Sequence, residues 1–262
     1  MNRRVLAVDW SGALKADRDK IWLCEVAGGE VIRLENGRSR EELIDHLIEE
    51  AAREPRLVVG LDFAFSFPAQ FLHKRAHREV ATVWDEAARF GERWLEHCPF
   101  PFWGKPGKKR PTLGEAMFRE TEMAVAEESG FRPFSTFQIG GAGAVGVGSV
   151  RGMPGLSRLR AAGFSIWPFD PPGDSLVVEI WPRLFMGNVR KSNRGDRARH
   201  LSERYLQIED GAFASAEGSD DAFDALVSAL EMDRHVEDFE RLVPTRAAST
   251  ALEGEIWRPS RR

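Results

Sequence analysis

Val5-Leu6-Ala7-Val8-Asp9, an unbroken apolar run that ends in an acid, decides the reading of this chain. Such a run is a buried strand that delivers a side chain at its C-terminal end. Leu57-Val58-Val59-Gly60-Leu61-Asp62 repeats the pattern. A carboxylate at a buried strand end costs free energy unless it is paired or binds a cation. Two of them on adjacent strands repel each other, so Asp9 and Asp62 together call for a shared cation. Between the two runs, Ile21 to Val26 and Glu30 to Leu34 read as a hairpin joined by Gly28-Gly29. Ser39 caps a helix through about Arg53, with Glu42 placed as in a capping box. Leu43, Ile44, Leu47, Ile48 and Ala51 share its apolar face. The order is three strands, a helix, then a strand that returns to the sheet centre.

Farther along, residues 68 to about 130 have a helical pattern, broken from Cys98 to Pro111 by a stretch too rich in proline and glycine for a regular element. Thr112 restarts a helix, with Glu115 completing a second capping box. The glycine-rich stretch from Ile139 to Gly155 lacks the strand, turn and helix context of a dinucleotide signature. It reads as a mobile loop beside the site, leading into a short helix that ends near Gly163. Ser175 to Trp181 is strand-like, carries Glu179 and is stopped by Pro182. Asp196 to Gln207 is helical and basic. Asp220 to Met232 is a strong helix with Phe223, Leu226, Val227 and Leu230 on its apolar face. The expectation is one α/β domain over residues 1–262, with residues 68–150 inserted within it as helices and a glycine-rich loop.

On that last helix Asp221 and Asp224 are three apart and share a face. Capping and dipole complementation account for Asp220 and Asp221, but Asp224 sits a turn inside, beside Phe223 and Ala225. Glu179 reads either as a further acid of the same site or as the strand-end partner of an arginine such as Arg183.

Several of these pieces resemble a known family. Val8-Asp9-Trp10-Ser11-Gly12, Gly60-Leu61-Asp62-Phe63-Ala64-Phe65-Ser66, Val178-Glu179-Ile180-Trp181-Pro182, Asp220 to Leu226 and Glu253-Gly254-Glu255-Ile256-Trp257 are similar to a family of predicted RNase H-like nucleases catalogued as a domain of unknown function. Asp221-Ala222-Phe223-Asp224-Ala225-Leu226 also looks like the late helix of RuvC-type resolvases. The resemblance implies an RNase H-like mixed five-stranded sheet flanked by helices, with a helical insertion after the fourth strand. It implies a metal-dependent phosphodiester hydrolase, a nuclease, acting on nucleic acid or nucleotide. Two Mg²⁺ or Mn²⁺ ions, roughly 4 Å apart, would activate water and stabilise the leaving oxygen. Asp9 would bridge them, Asp62 would hold one, and Asp221 or Asp224 the other, with Glu179 as a further catalytic acid. Hard oxygen ligands select such ions over zinc. Resolvases carry Glu where this chain has the shorter Asp62, which moves that ligand by about one methylene.

Candidate substrate contacts are spread along the chain. Ser11-Gly12 either presents backbone N–H groups to a phosphate or makes a plain turn. Lys108, Lys109 and Arg110, with Lys105, lie among Phe100, Phe102 and Trp103, which suits single-stranded nucleic acid by stacking and phosphate contact or describes a solvated loop. Arg151 would meet an anion at the start of the helix after the glycines. Arg194 belongs to a basic cluster from Arg190 to Arg199, for phosphate contact or as a charged helix face. Arg119 and Glu122 read as a surface pair.

Composition sets limits. A chain of 262 residues with 42% hydrophobic content can bury a full core. A net charge of −4 supplies no global basic field for nucleic acid. Two lone cysteines and no signal segment point to the cytoplasm, and no run approaches the roughly 20 apolar residues that span a bilayer. Two other readings stay open. An ATP-dependent phosphotransferase of the actin-like superfamily shares the topology, but it uses Asp-x-Gly-x-Thr/Ser at the first hairpin, where this chain has Trp10-Ser11-Gly12, and it needs two such domains. A non-catalytic nucleotide-binding or nucleic-acid-binding module would keep the fold and use the acids for structure.

Overall fold

The structure is a computed structural model describing residues 3–112, 114–205, 207–244 and 249–260. Six strands form one mixed sheet: β1 (Arg4–Asp9), β2 (Trp22–Ala27), β3 (Glu30–Glu35), β4 (Leu57–Leu61), β5 (Ser165–Ile166) and β6 (Leu176–Glu179), in the order β3-β2-β1-β4-β6-β5. The β1–β2 and β2–β3 pairs are antiparallel, and the β1–β4, β4–β6 and β5–β6 pairs are parallel. The sheet thus has one strand more than the five expected. The extra one, β5, is a two-residue edge strand, too short to show alternation in the sequence.

Among the described residues the helices are α1 (Asp17–Lys20), α2 (Arg40–Arg53), α3 (Ala69–Lys74), α4 (Val80–His97), α5 (Glu120–Ser129), α6 (Val145–Ala161), α7 (Arg183–Met186), α8 (Arg194–Arg204), α9 (Asp210–Gly218), α10 (Asp220–Arg234) and α11 (Thr250–Glu253). None is long and apolar enough to cross a membrane. The Gly28-Gly29 turn has φ of 60° and 88°, as a tight hairpin requires. The Ser39–Glu42 capping box forms as expected. The expected Thr112–Glu115 box does not open a helix. A 3₁₀ turn (Gly114–Met117) intervenes, α5 begins at Glu120 with Arg119 as its cap, and Leu113 and the Glu115 side chain lie outside the described residues.

Side chains alternate along each strand, so each face of the sheet receives its own core. Leu6 and Val8 of β1 join Leu43, Leu47, Trp84, Met153 and Leu156 under α2, α4 and α6. Val5 and Ala7 join Phe223, Leu226, Val227 and Leu230 of α10 on the other face.

The glycine-rich stretch is a correction to the reading above. Residues 139–144 are loop, as expected, but from Val145 onward the stretch forms the first eleven residues of the 17-residue helix α6. Glycine costs a helix about 1 kcal/mol per position relative to alanine, and here close packing accounts for it. A Cβ on Gly146 would stand 2.2 Å from the Thr136 carbonyl oxygen, and one on Gly152 would stand 2.6 Å from the Phe63 ring. A Cβ on Gly12 would meet the Gly148 backbone nitrogen at 2.4 Å, so the loop after β1 rests directly on the first turn of α6.

Candidate active site

The parallel pairing of β1, β4 and β6 brings three C-terminal strand ends to one edge of the sheet. Val8 is level with Leu61 and Leu61 with Glu179. The Asp62 N–H, one residue past β4, still donates to the Val8 carbonyl at 3.1 Å. Asp9 and Asp62 therefore stand at the same level and, by alternation, on the α10 face with Val5, Ala7 and Val58. Ser219 caps α10 by accepting from the Ala222 N–H. Asp221 then falls in the first turn, and Asp224, only 1% exposed, one turn later against the same strand ends.

The three acids perturb one another. Burial, then the charges of Asp224, Asp62 and Asp221, hold the Asp9 carboxyl well above the usual carboxylate range. Burial, with Asp224 adding to it, pushes Asp62 up to about 8. Burial raises Asp224 to about 6 even though Lys191 opposes the rise. The Lys191 ammonium contacts Asp224 Oδ2. Burial works against the lysine's charge, but Asp224 outweighs it and raises the ammonium pKa. The other oxygen, Asp224 Oδ1, is buried with no hydrogen-bond partner. Asp221 is the outlying member, 3.8 Å from Lys20 Nζ. Among the described residues no three His, Cys, Asp or Glu side chains are arranged to hold a metal ion as they stand.

Glu179 points to the opposite face of the sheet from Asp62, because Val177 shares its parity and packs under α6 while Val178 and Ile180 pack under α10. Its partner is not Arg183, which donates instead to the carbonyls of Gly187 and Val189. Arg119 reaches it with both terminal nitrogens, one at 2.8 Å, and its Nε donates to Glu122 at 3.0 Å. Both Arg119 and Glu122 are buried, at 1% and 2% exposure, so the expected surface pair is the centre of an interior network.

Asp62, Asp224, Lys191, Glu179 and Arg119 all line one cavity of about 530 Å³, while Asp9 and Asp221 do not line it. Its far side comes from the segment between β4 and β5, including Phe134, Thr136 and the Gly143–Val145 start of α6. Sequence reasoning named neither this cavity nor Arg119 or Thr136 as parts of it, and it placed Lys191 only within the basic cluster from Arg190 to Arg199.

The expected substrate contacts do not line it. Ser11 Oγ accepts from the Ala13 N–H at 3.2 Å, as a turn residue does. Lys108, Lys109 and Arg110 are exposed on the loop after α4, and Arg110 lies over the Trp103 and Phe118 rings. Arg151 is tied to Glu92 and the Gly12 carbonyl, and Arg194 to Glu217 at 2.8 Å.

The raised carboxyl pKa values fix how stability depends on pH. The folded chain keeps protons on Asp9, Asp62 and Asp224 that the unfolded chain releases near pH 4. The contribution of these three groups to the stability of the metal-free protein is therefore greatest below that value and is lost as pH rises toward about 8, the folded value of Asp62. Melting temperatures measured in chelator between pH 5 and 8.5 should fall through this window, and saturating Mn²⁺ should flatten the fall.

Comparison with protein-family models, with curated proteins and with solved structures returns no match for this chain.

Proposed function

We propose that the chain is a metal-dependent phosphodiester hydrolase of RNase H-like fold. The observation that carries this reading is the convergence of three carboxyl groups, Asp9, Asp62 and Asp224, far apart in sequence, at the C-terminal ends of the central strands beside a single ammonium, Lys191. A structural role would leave each acid paired, whereas Asp224 Oδ1 has no partner. The strand order β3-β2-β1-β4-β6, antiparallel and then parallel, agrees with the arrangement the family resemblance implies.

The residues present fit Mg²⁺ or Mn²⁺ in charge and in donor chemistry, since all are carboxylate oxygens. Asp9, Asp62 and Asp224 would hold the metal, with Asp221 as a further carboxylate on the same helix face as Asp224. A bound ion would supply an activated water and charge stabilisation at the phosphorus. Lys191, released from Asp224, would place its ammonium against a phosphate oxygen and offset charge gathering on the leaving group. Arg119 holds Glu179 and keeps that wall of the cavity fixed.

Calorimetric titration of Mn²⁺ and Mg²⁺ into the wild type and Asp9→Asn, with hydrolysis of bis(p-nitrophenyl) phosphate measured in parallel, tests the reading. The wild type is expected to bind Mn²⁺ and turn over the diester, and Asp9→Asn to lose at least tenfold in both. Equal binding by the two proteins would return the acids to a structural role.

A further inference from the structure

We propose that the substrate of this site is a single nucleotide-sized phosphoester, one aromatic ring system with its phosphate, rather than a nucleic-acid chain. The inference rests on the hydrolase reading for the reaction, but the size and lining of the cavity carry it. A volume of about 530 Å³ lies within the range of small-ligand sites and leaves room for one nucleotide beside the acids. Part of the wall is fixed by close packing. The loop after β1 rests on the first turn of α6, and the Phe134 ring packs on Gly143, where a Cβ would come within 2.8 Å of it.

The chemistry of the walls matches the two ends of such a ligand. Trp10, Phe63, Phe134 and Trp181 supply aromatic surface for a base. At the other end Gly143, Ala144 and Val145, where α6 begins, line the cavity with Lys191. The N–H groups of Val145, Gly146 and Val147 already donate to the carbonyls of Gly143, Gln138 and Ala144, so the phosphate end is marked by side chains. Two buried donors beside it lack partners. Thr136 is fully buried and Trp10 is 8% exposed, both line the cavity, and neither Thr136 Oγ1 nor Trp10 Nε1 makes a hydrogen bond. Buried polar groups are seldom left unpaired, and a phosphate or base edge in the cavity would pair them.

The features a polymer would need lie elsewhere. Lys108, Lys109 and Arg110 are absent from the cavity wall. Arg190 and Arg199 are tied to Asp196 and Arg194 to Glu217. That leaves no continuous basic track from the acids outward among these clusters.

The test compares four probes with Mn²⁺ present: a nucleoside 5′-monophosphate for binding by calorimetry, and thymidine 5′-(p-nitrophenyl phosphate), a 20-nucleotide single strand and a 20-base-pair duplex for hydrolysis. The monophosphate should bind, and kcat/KM for the small diester should exceed that for either polymer at least 100-fold. Phe134 is 56% exposed, so Phe134→Ala should fold normally and raise KM for the small diester about tenfold with kcat little changed. Thr136→Val should weaken monophosphate binding several-fold without lowering the melting temperature. Polymer cleavage as efficient as that of the small diester would overturn the substrate assignment and leave the hydrolase reading standing. Monophosphate binding that is sensitive to Phe134→Ala, with no hydrolysis of any probe, would uphold the nucleotide site and sink the hydrolase. Absence of both binding and turnover would overturn the two together.

Discussion

Asp62→Asn is expected to raise the melting temperature of the metal-free protein at pH 7.5 while removing its affinity for Mn²⁺. The two effects share one cause. Burial and the neighbouring charge of Asp224 push the Asp62 carboxyl up to about 8, so near neutral pH the fold carries the cost of keeping a proton that solvent would take. Asparagine has nearly the same shape and no such cost. Each pKa unit corresponds to about 1.4 kcal/mol, and after allowance for relaxation the gain should be on the order of 2–4 kcal/mol. For a chain of this size that is roughly 5–10 °C in melting temperature. An acid kept for structure behaves in the opposite way, because its removal strands a partner. Differential scanning calorimetry in chelator, beside an isothermal titration with Mn²⁺, reads both quantities. A fall in melting temperature with Mn²⁺ affinity intact would mean that Asp62 is structural.

How much of this was legible in the sequence depends on the range of the signal. The strand-end acids were legible because a strand writes its own pattern: Val5 to Val8 and Leu57 to Leu61 are apolar, and the next residue is not. Asp224 was legible because helical periodicity places it on one face with Asp221, a turn inside the helix where capping no longer accounts for an acid. What failed depended on contacts distant in sequence. The glycines of α6 looked like a loop because helix propensity is a local prior, and the close approach of Thr136 and Phe63 that selects them is tertiary. Arg119 and Glu122 have the spacing of an ordinary surface pair, and only Glu179, 60 positions away, makes them interior. The face of Glu179 was hidden for another reason. Both sides of β6 are buried, so Leu176-Val177-Val178 shows no alternation from which to count. The basic clusters misled because charge composition does not say which arginines already have partners. Of Arg190, Lys191 and Arg194, only Lys191 reaches the acids.

Arg119→Met should be the most destabilising single change in the chain's polar interior, because it leaves two carboxylates buried and uncompensated. The guanidinium is 1% exposed and bonds to Glu179, Glu122 and the Glu253 carbonyl. Breaking a buried pair from one side costs about 3–5 kcal/mol, or roughly 10 °C in a chain of this length. Glu179→Gln should cost much less, since Arg119 keeps Glu122 and the amide oxygen still accepts a hydrogen bond. The two variants also separate the roles left open for Glu179. It lies on the face opposite Asp62, yet near enough for its charge to raise the Asp62 pKa. Held by Arg119, it should act as a wall of the cavity and not as a metal ligand. Mn²⁺ affinity in Glu179→Gln should then stay within about twofold of the wild type. A loss of tenfold or more, in a protein whose melting temperature has barely moved, would make Glu179 a ligand and Arg119 the group that must release it.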